Sequence, residues 1–340
     1  MLQARAHPAA VLLADGTVLA CGGADVGHEP LASCERYDPR TDRWTPAASM
    51  DRPRSFFPMV RLADGRVLVV GGASTAGATP AELYEPARDR WSPIAPVARP
   101  ATGASLTALP AGGAMLVAGS QAGNDVHDDS FLLDARTGAW RDGPALRLGR
   151  QAHCAAWTDD GLVVAGGRGQ YEPCWPTEWL CLRGGGAPSL RSVERLGPRA
   201  SRWKAGRDAP VPLPYCRTTV VGPHAFLAVE STKDQSARYD SARDRWQVLA
   251  SPGRALSTRA VAPLPGGGAI AVGGFPARDA PEPTASLLLA PGADHWTWGP
   301  PLAVQRTWTT AVPLADGRVL VLGGAPLRSG AVADVELYEP

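Results

Sequence analysis

The chain carries few aromatic residues, no excess of either charge and no long apolar run. Aromatic residues make up 6% of its 340 residues, and the formal net charge is +1. Because no run approaches the ~20 apolar residues of a membrane span, the sequence predicts no membrane helix. The balanced charge, with basic residues spread through the loops, argues against a nucleic-acid partner. The start lacks the apolar segment of a signal peptide, so we expect a cytoplasmic protein, or a secreted one if the N-terminus was trimmed.

Cysteine is also scarce, and specific catalytic motifs are missing. The 6 cysteines form no CxxC pair, so the spacing does not indicate a metal or redox motif. We expect mostly buried thiols, with Cys174 and Cys181 as the pair to test for a disulfide. The sequence contains no Walker loop, HExxH or GxSxG motif. It therefore offers no specific catalytic signature.

Glycine is abundant, at 38 residues, and pairs of glycines mark an internal repeat. Seven apolar segments end in a glycine pair or its equivalent, as in "VRLADGRVLVVGG". We place the first position of these pairs at residues 22, 71, 119, 166, 230, 273 and 323. A repeat of about 50 residues built from short apolar runs is typical of a β-propeller.

Each repeat predicts four strands, A to D. Strand A leads through a tight turn such as "LADG" into strand B, which ends at the glycine pair. Strand C follows a variable loop, as in "AELYEPARDRW", and a tryptophan opens strand D at residues 44, 91, 140, 203, 246 and 296. We expect these large side chains to pack between neighbouring blades.

The order of glycine pair, tyrosine and spaced tryptophan resembles the Kelch repeat family over nearly the whole chain. The departures are Ser120 in place of a second glycine, and Glu230 with Ser231 in place of both. The resemblance implies an all-β fold, a single seven-bladed propeller over residues 1–340. The last repeat stops at "VELYEP", so we expect an incomplete last blade or a chain trimmed from a longer one.

In such a blade, strand A starts and strand B ends on the face where the central funnel opens. Aromatic residues and arginines at these positions indicate a site for an anionic or planar polar ligand. The alternative is that each arginine is solvated or structural. The predicted ligand-binding residues are His7, Arg54, Phe56, Arg217, Arg259, Arg306 and Trp308.

A long insertion at about residues 168–190 follows the fourth glycine pair on the same face. It contains Trp175 and Trp179, which we predict to pack over the funnel as a lid that contacts the ligand. A partner-binding or merely decorative loop is the alternative.

The fifth repeat has lost its glycine pair, and this predicts a functional position at Glu230. Glu230 ends strand B on the face where Tyr215 and Arg217 begin strand A. We predict Glu230, Tyr215 and His153 as acid/base residues, against the alternative that the repeat has drifted.

The fold is also similar to galactose-oxidase-like copper radical enzymes. Their copper ligand set is missing here, because Phe56 stands where a redox tyrosine is needed beside His7. We expect no cofactor, although a looser metal site of His7, His153 and Tyr215 stays open.

Two functions follow from these patterns. The first is a recognition module that binds a small polar or anionic ligand, or a peptide, in the funnel, which the Kelch resemblance implies. The alternative is a redox-independent enzyme of the epimerase, cyclase or lyase type. We favour the binding module because no catalytic constellation is specific.

Overall fold

A computed structural model describes residues 1–72, 79–99, 101–121, 125–170, 187–230, 235–252, 260–274, 284, 286–326 and 330–340. Within these ranges the regular structure consists of 27 β-strands and one 3-10 turn at Pro265–Gly267. The strands form seven antiparallel sheets, six with four strands and the last with three. The all-β fold and the incomplete last blade are thus confirmed.

The first three blades contain the following strands. Blade 1 consists of β1 (Ala9–Leu12), β2 (Val18–Cys21), β3 (Cys34–Asp38) and β4 (Arg43–Ala47). Blade 2 consists of β5 (Met59–Arg61), β6 (Val67–Val70), β7 (Thr79–Glu85) and β8 (Arg90–Val97). Blade 3 consists of β9 (Ser105–Ala108), β10 (Ala114–Gln121), β11 (Asp125–Asp134) and β12 (Ala139–Asp142).

The remaining blades follow in the same order. Blade 4 consists of β13 (Cys154–Thr158), β14 (Gly161–Ala165), β15 (Val193–Leu196) and β16 (Lys204–Gly206). Blade 5 consists of β17 (Arg217–Gly222), β18 (Ala225–Val229), β19 (Ser236–Asp240) and β20 (Arg245–Leu249). Blade 6 consists of β21 (Ala260–Leu264), β22 (Gly268–Val272), β23 (Ser286–Leu289) and β24 (Thr297–Gly299). Blade 7 consists of β25 (Thr310–Pro313), β26 (Val319–Leu322) and β27 (Val335–Tyr338).

The A strands form a closed ring. Each of β1, β5, β9, β13, β17, β21 and β25 contacts the A strand of the next blade, and β25 contacts β1. Blades 7 and 1 belong to separate sheets, so the ring closes by side-chain packing and loop hydrogen bonds. Val18 and Leu320 share one buried core across this seam, and the Thr310 hydroxyl donates to the Pro8 carbonyl at 2.6 Å.

The tryptophans of the D strands join neighbouring blades, as the repeat predicts. The indole Nε1 of Trp91 donates to the Ala48 carbonyl of blade 1 at 3.0 Å. Trp203 bonds in the same way to Pro144 of blade 3 at 2.9 Å. Trp91 and Trp203 therefore bury apolar surface between two blades while the one polar atom of each ring keeps a partner, whereas the Trp140 Nε1 is buried without a hydrogen-bond partner among the described residues.

Blade 3 keeps its glycine pair one residue earlier than the sequence analysis placed it. The bridge between Thr102 and Ser120 is equivalent to the bridge between Ala6 and Ala24 in blade 1. Ser120 therefore follows the pair, and Ala118 and Gly119 form it, with φ of 55° and 114°. The prediction was wrong because Ala118 occupies a left-handed position that the repeat pattern assigns to glycine.

Two disulfides correct the expectation of buried thiols. Cys21 and Cys34 lie opposite each other on β2 and β3, with Cα atoms 4.1 Å apart. Cys154 and Cys216 join the A strands of blades 4 and 5, with Cα atoms 5.1 Å apart. Pairing of β2 with β3 brings the first two cysteines together within blade 1, and the packing of neighbouring A strands brings the second two together. The spacing of cysteines along the sequence does not reveal either contact. Cys174 and Cys181 lie outside the described residues.

Candidate functional site

One backbone position recurs at the start of strand A on the funnel face. Its residues have left-handed backbone in six blades: His7, Phe56, Gly103, Ala152, Tyr215 and Trp308, with φ between 50° and 68°. A left-handed residue other than glycine costs roughly 1–2 kcal/mol. The ring of blades imposes this conformation, for example through the hydrogen bond from the His7 amide to the Trp308 carbonyl at 3.0 Å.

Three of these residues form a continuous aromatic wall across blades 7, 1 and 2. The His7 ring stacks on Trp308 at 4.6 Å and lies 3.6 Å from the Phe56 ring, measured between centroids. The Phe56 side chain remains 71% exposed, so the wall presents aromatic surface to solvent. Burial, and then the positive charge of Arg217, lower the pKa of His7 to about 3. The imidazole is therefore neutral at physiological pH.

Arg217 stands out in the inner ring of the propeller. We call inner ring the set of strand A residues that lie opposite the last residue of strand B before the glycine pair; in blade 5 this residue is Arg217, opposite Val229. In the other blades the inner-ring residues are small: Ala9, Pro58, Ser105, Cys154, Ala260 and Thr310. Arg217 is solvent-accessible, yet surrounding protein desolvates its guanidinium and lowers its pKa. No ion pair or hydrogen bond joins this guanidinium to any residue that the structure describes. Its positive charge is the second cause of the lowered pKa of His7.

A side cavity of about 400 Å³ opens between blades 4 and 5 on the same face. Its lining includes Arg168, Tyr215, Glu230 and Gln235. Arg168 donates a hydrogen bond to the Tyr215 hydroxyl, and its guanidinium carbon lies 5.3 Å from the centre of that ring. Glu230 is 1% exposed. Tyr215 therefore belongs both to the ring of left-handed residues and to this cavity.

Glu230 changes the backbone as well as the side chain of blade 5. The first glycines of blades 1 and 7, Gly22 and Gly323, have φ of 60° and 62°. A Cβ there would lie 2.6 and 2.5 Å from the carbonyl oxygens of Arg54 and Arg5 in the next blade. Glu230 is not among the left-handed residues. Its amide donates to the Gln235 carbonyl at 2.8 Å, which is the bond that the Gly22 amide makes to the Ser33 carbonyl at 3.0 Å. Blade 5 thus keeps the hydrogen bond at the end of strand B but not the left-handed backbone angle of the first glycine.

The repeat found in the structure is also found by comparison with known families. A model of the Kelch motif matches residues 5–51, which span the first blade. The described residues form six blades with the same order of four strands and one tryptophan each, and a seventh blade that contains strands A to C. The chain is a Kelch-repeat β-propeller. No curated protein matches it. In the described part of this Kelch propeller, no helix is long and apolar enough to cross a membrane.

Arg54 and Arg306, which the sequence pattern assigned to ligand binding, are buried inside their blades. Arg54 donates to Glu82 on β7 at 2.7 Å, and Arg306 donates to Glu336 on β27 at 2.5 Å. Both guanidinium groups are 0% exposed and also bond to the carbonyl of the first glycine. Their geometry is that of structural residues, so they are not part of the site that we propose.

The same ion pair recurs in two more blades, as Arg5 with Glu35 and Arg150 with Glu194. Blades without the arginine also lack the glutamate. Blade 3 has Ala101 and Phe131 at these positions, and blade 5 has Leu213 and Ala237. This joint presence or absence was visible in the aligned repeats and would have identified the arginines as structural.

His153 lies in the wall between blades rather than in the funnel. It is 6% exposed, and its Nε2 lies 2.8 Å from the Ser105 hydroxyl. Burial and the charge of Arg150 lower its pKa to about 3. His153 does not line the side cavity that holds Tyr215 and Glu230. The three predicted acid/base residues are therefore not brought together.

The predicted metal site of His7, His153 and Tyr215 is not assembled either. His7 is sandwiched in the aromatic wall, whereas His153 faces Ser105. In the described ranges, no three His, Cys, Asp or Glu side chains are grouped as metal ligands would be.

Several predicted positions lie outside the described residues. They are Arg259, Trp175, Trp179 and most of the predicted lid. The two ends of the insertion are described, and Arg168 pairs with Gln151 on one side and Ser189 on the other. Arg168, Ala187 and Ser189 border the side cavity, so both ends of the insertion reach the candidate site.

Proposed function

We propose that this Kelch propeller is a recognition module whose funnel binds a small planar ligand through an anionic group. The Kelch propeller fold is that of a generic binding module. The proposal that the funnel binds an anion rests on the Arg217 guanidinium. It occupies an inner-ring position that small residues hold in the other blades, and it lacks a counter-ion among the described residues.

A solvent-accessible guanidinium without an ion-pair partner among the described residues attracts an anion, and the surrounding protein strengthens that attraction by lowering the local dielectric constant. Arginine presents a planar fork of donors that suits carboxylate and phosphate oxygens. An anionic group bound there adds charge-assisted hydrogen bonds without displacing a protein partner. Arg217 is therefore the proposed anion anchor.

The aromatic wall supplies the second half of the proposed site. Phe56 offers an exposed ring beside His7, and a planar ligand gains dispersion and stacking energy there. Because the His7 imidazole is neutral, it does not compete with Arg217 for the ligand's charge. A peptide that ends in an aromatic residue offers the same two groups, so it falls within this proposal.

The enzyme alternative has less support. It needs Glu230, Tyr215 and His153 around one reacting group, and His153 lies apart from the cavity that the other two line. Glu230 and Tyr215 both line the side cavity, and we propose that they bind the end of the ligand opposite its anionic group.

Two probes of similar shape and opposite charge test the proposed function. Benzoate carries a ring and a carboxylate, whereas benzylamine carries a ring and a cation. We expect the wild-type protein to bind benzoate at least about 10-fold more tightly than benzylamine, and Arg217→Gln to remove that preference. Ligand-observed NMR at low salt measures both. Arg141→Gln, an exposed arginine on β12, is the control and should bind like wild type.

Two results would contradict the proposed anion site. If wild-type protein does not bind benzoate, or if Arg217→Gln binds it unchanged, the funnel is not an anion site centred on Arg217.

A further inference from the structure

The Cys154–Cys216 disulfide lies at the proposed ligand site. Cys216 is the residue between Tyr215 and Arg217, and Cys154 occupies the inner-ring position of blade 4 that neighbours Arg217 in blade 5. The Cys154 sulfur lies 3.2 Å from the Arg217 carbonyl oxygen. The bond therefore ties down the short segment that carries both the anion anchor and the tyrosine of the side cavity.

This segment lacks an ion pair that four other blades have. In blades 1, 2, 4 and 7, a buried arginine two residues before the left-handed position holds the start of strand A to a glutamate on strand C. Blade 5 has Leu213 and Ala237 at these positions. The disulfide, together with the hydrogen bond from the Cys216 amide to the Ala152 carbonyl at 3.1 Å, instead ties this segment to blade 4, three residues after the position where the arginine is missing.

Tyr215 also needs restraint. It is a bulky residue with φ of 50°, and such a conformation persists only where the surroundings enforce it. The next residue in the chain is bridged to blade 4, which holds this conformation without an ion pair.

We propose that the Cys154–Cys216 disulfide makes the ligand site sensitive to redox conditions, with the bridged form as the binding form. A dithiol reductant supplies two electrons and two protons, the sulfur–sulfur bond breaks, two cysteine thiols form, and the reductant becomes a cyclic disulfide. Tyr215 and Arg217 then lose their covalent tie to blade 4, and the affinity for the anion falls. This step rests on the proposed function of Arg217.

The Cys154–Cys216 disulfide also indicates the kind of compartment in which the binding form exists. Disulfides persist in oxidising compartments and are rare in the cytosol. The binding form is therefore expected in an oxidising compartment, in contrast to the cytoplasmic location that the sequence analysis favoured.

The experiment compares two disulfide-deleted variants with wild type. Cys154→Ser/Cys216→Ser removes the bridge at the site, and Cys21→Ser/Cys34→Ser removes the bridge in blade 1 as a matched control. Benzoate affinity is measured by NMR, and backbone hydrogen exchange of residues 213–219 is measured by mass spectrometry. Circular dichroism below the melting temperature shows that each protein is folded.

We expect the Cys154→Ser/Cys216→Ser protein to bind benzoate about 10-fold more weakly and to exchange faster at residues 213–219. The control protein should keep wild-type affinity when oxidised and lose it on addition of a dithiol, since it retains the other bridge. If the site variant does not fold, wild type treated with a dithiol and alkylated replaces it.

The outcomes separate this inference from the proposed function. Failure of oxidised wild type to bind benzoate removes the proposed function and, with it, the redox control of affinity. Wild-type binding that is unchanged by loss of the Cys154–Cys216 bond, with unchanged exchange at residues 213–219, overturns this inference alone.

Discussion

Arg54 donates two hydrogen bonds to the Glu82 carboxylate, at 2.7 and 3.2 Å, and the two side chains are buried together in blade 2. Glu82 in turn accepts the Asp51 amide at 2.7 Å. The pair therefore fastens the start of strand A to strand C inside one blade. Arg217, by contrast, has no such partner among the described residues, and this difference separates structural arginines from the proposed anchor.

The ion pair of blade 2 predicts a large loss of stability when one partner is removed. Arg54→Leu leaves the Glu82 carboxylate buried without its cation, so we expect the free energy of unfolding to fall by about 3–5 kcal/mol. Arg54→Leu/Glu82→Ala copies the residues found in blade 5 and should recover more than half of that loss. Urea denaturation measures both.

The same variants test whether Arg54 belongs to the ligand site. Benzoate affinity should remain at the wild-type value in the double variant. A folded Arg54→Leu protein with unchanged stability and weakened binding would show that Arg54 acts on the ligand.

Some features of this fold were readable in the sequence because each is fixed by local chemistry. The strand order, the blade count and the packing of Trp91 between blades follow from apolar runs, turns and one large side chain per repeat. Other features depend on contacts between repeats. The pairing of Cys154 with Cys216 and the exposure of Arg217 are set by which A strands are neighbours in the closed ring, and no single repeat contains that information.

The sequence also could not distinguish structural arginines from exposed ones at the start of strand A. Arg54 and Arg217 have the same chemistry and nearly the same place in the repeat. Arg54 lies two residues before the left-handed Phe56 and is buried inside the blade, whereas Arg217 lies two residues after the left-handed Tyr215 and is in the inner ring. A shift of register by a few positions is below what the spacing of motifs resolves when loops differ in length.

The displaced glycine pair of blade 3 gives a prediction about backbone strain. Ala118 has φ of 55°, where a Cβ is unfavourable, so Ala118→Gly relieves strain but loses a buried methyl group. We expect these effects to offset, leaving stability within about 1 kcal/mol of wild type. Gly119→Ala should cost more than about 1 kcal/mol, because φ is 114° and a new Cβ would lie 3.1 Å from both Ala104 Cβ and the Thr102 carbonyl.

Thermal and urea unfolding of the two proteins check this contrast. If Gly119→Ala is tolerated while Ala118→Gly is strongly destabilised, the glycine pair of blade 3 has been assigned to the wrong residues.

His153 predicts a pH dependence of stability. Its pKa in the folded protein is about 3, below the ordinary value of 6.5, so the unfolded chain takes up a proton at a higher pH than the folded protein does. The stabilising contribution is fully present above pH 6.5 and is lost as the pH falls from 6.5 towards 3. The slope for one such histidine approaches about 1.4 kcal/mol per pH unit. His7 contributes in the same direction.

Urea denaturation between pH 4 and 6 measures this slope. His153→Gln should reduce it, and His7 should account for part of the remainder. Ser105→Ala is the control: it removes the hydrogen bond to Nε2 but leaves His153 buried, and burial is the main cause of the lowered pKa. A slope that is the same in wild type and His153→Gln would show that His153 is protonated without unfolding.

Glu230 predicts a preference for ligands with two charged ends. Its carboxylate lines the side cavity that Tyr215 shares with the ring of left-handed residues. A benzoate that carries an aminomethyl group on the opposite end of its ring presents a cation to Glu230 while its carboxylate binds Arg217. A charge-assisted hydrogen bond of this kind contributes about 1.5–3 kcal/mol. We therefore expect 4-(aminomethyl)benzoate to bind wild type more tightly than benzoate by about 10-fold or more.

Glu230→Gln tests this assignment because it keeps the size of the side chain and removes its charge. The variant should bind benzoate like wild type but lose the gain from the aminomethyl group, with little change in melting temperature. Glu29→Gln, an exposed glutamate in the loop after the blade 1 glycine pair, is the matched control and should keep the gain. An unchanged gain in Glu230→Gln would mean that the carboxylate serves blade 5 alone and that the lost glycine pair reflects drift of the repeat.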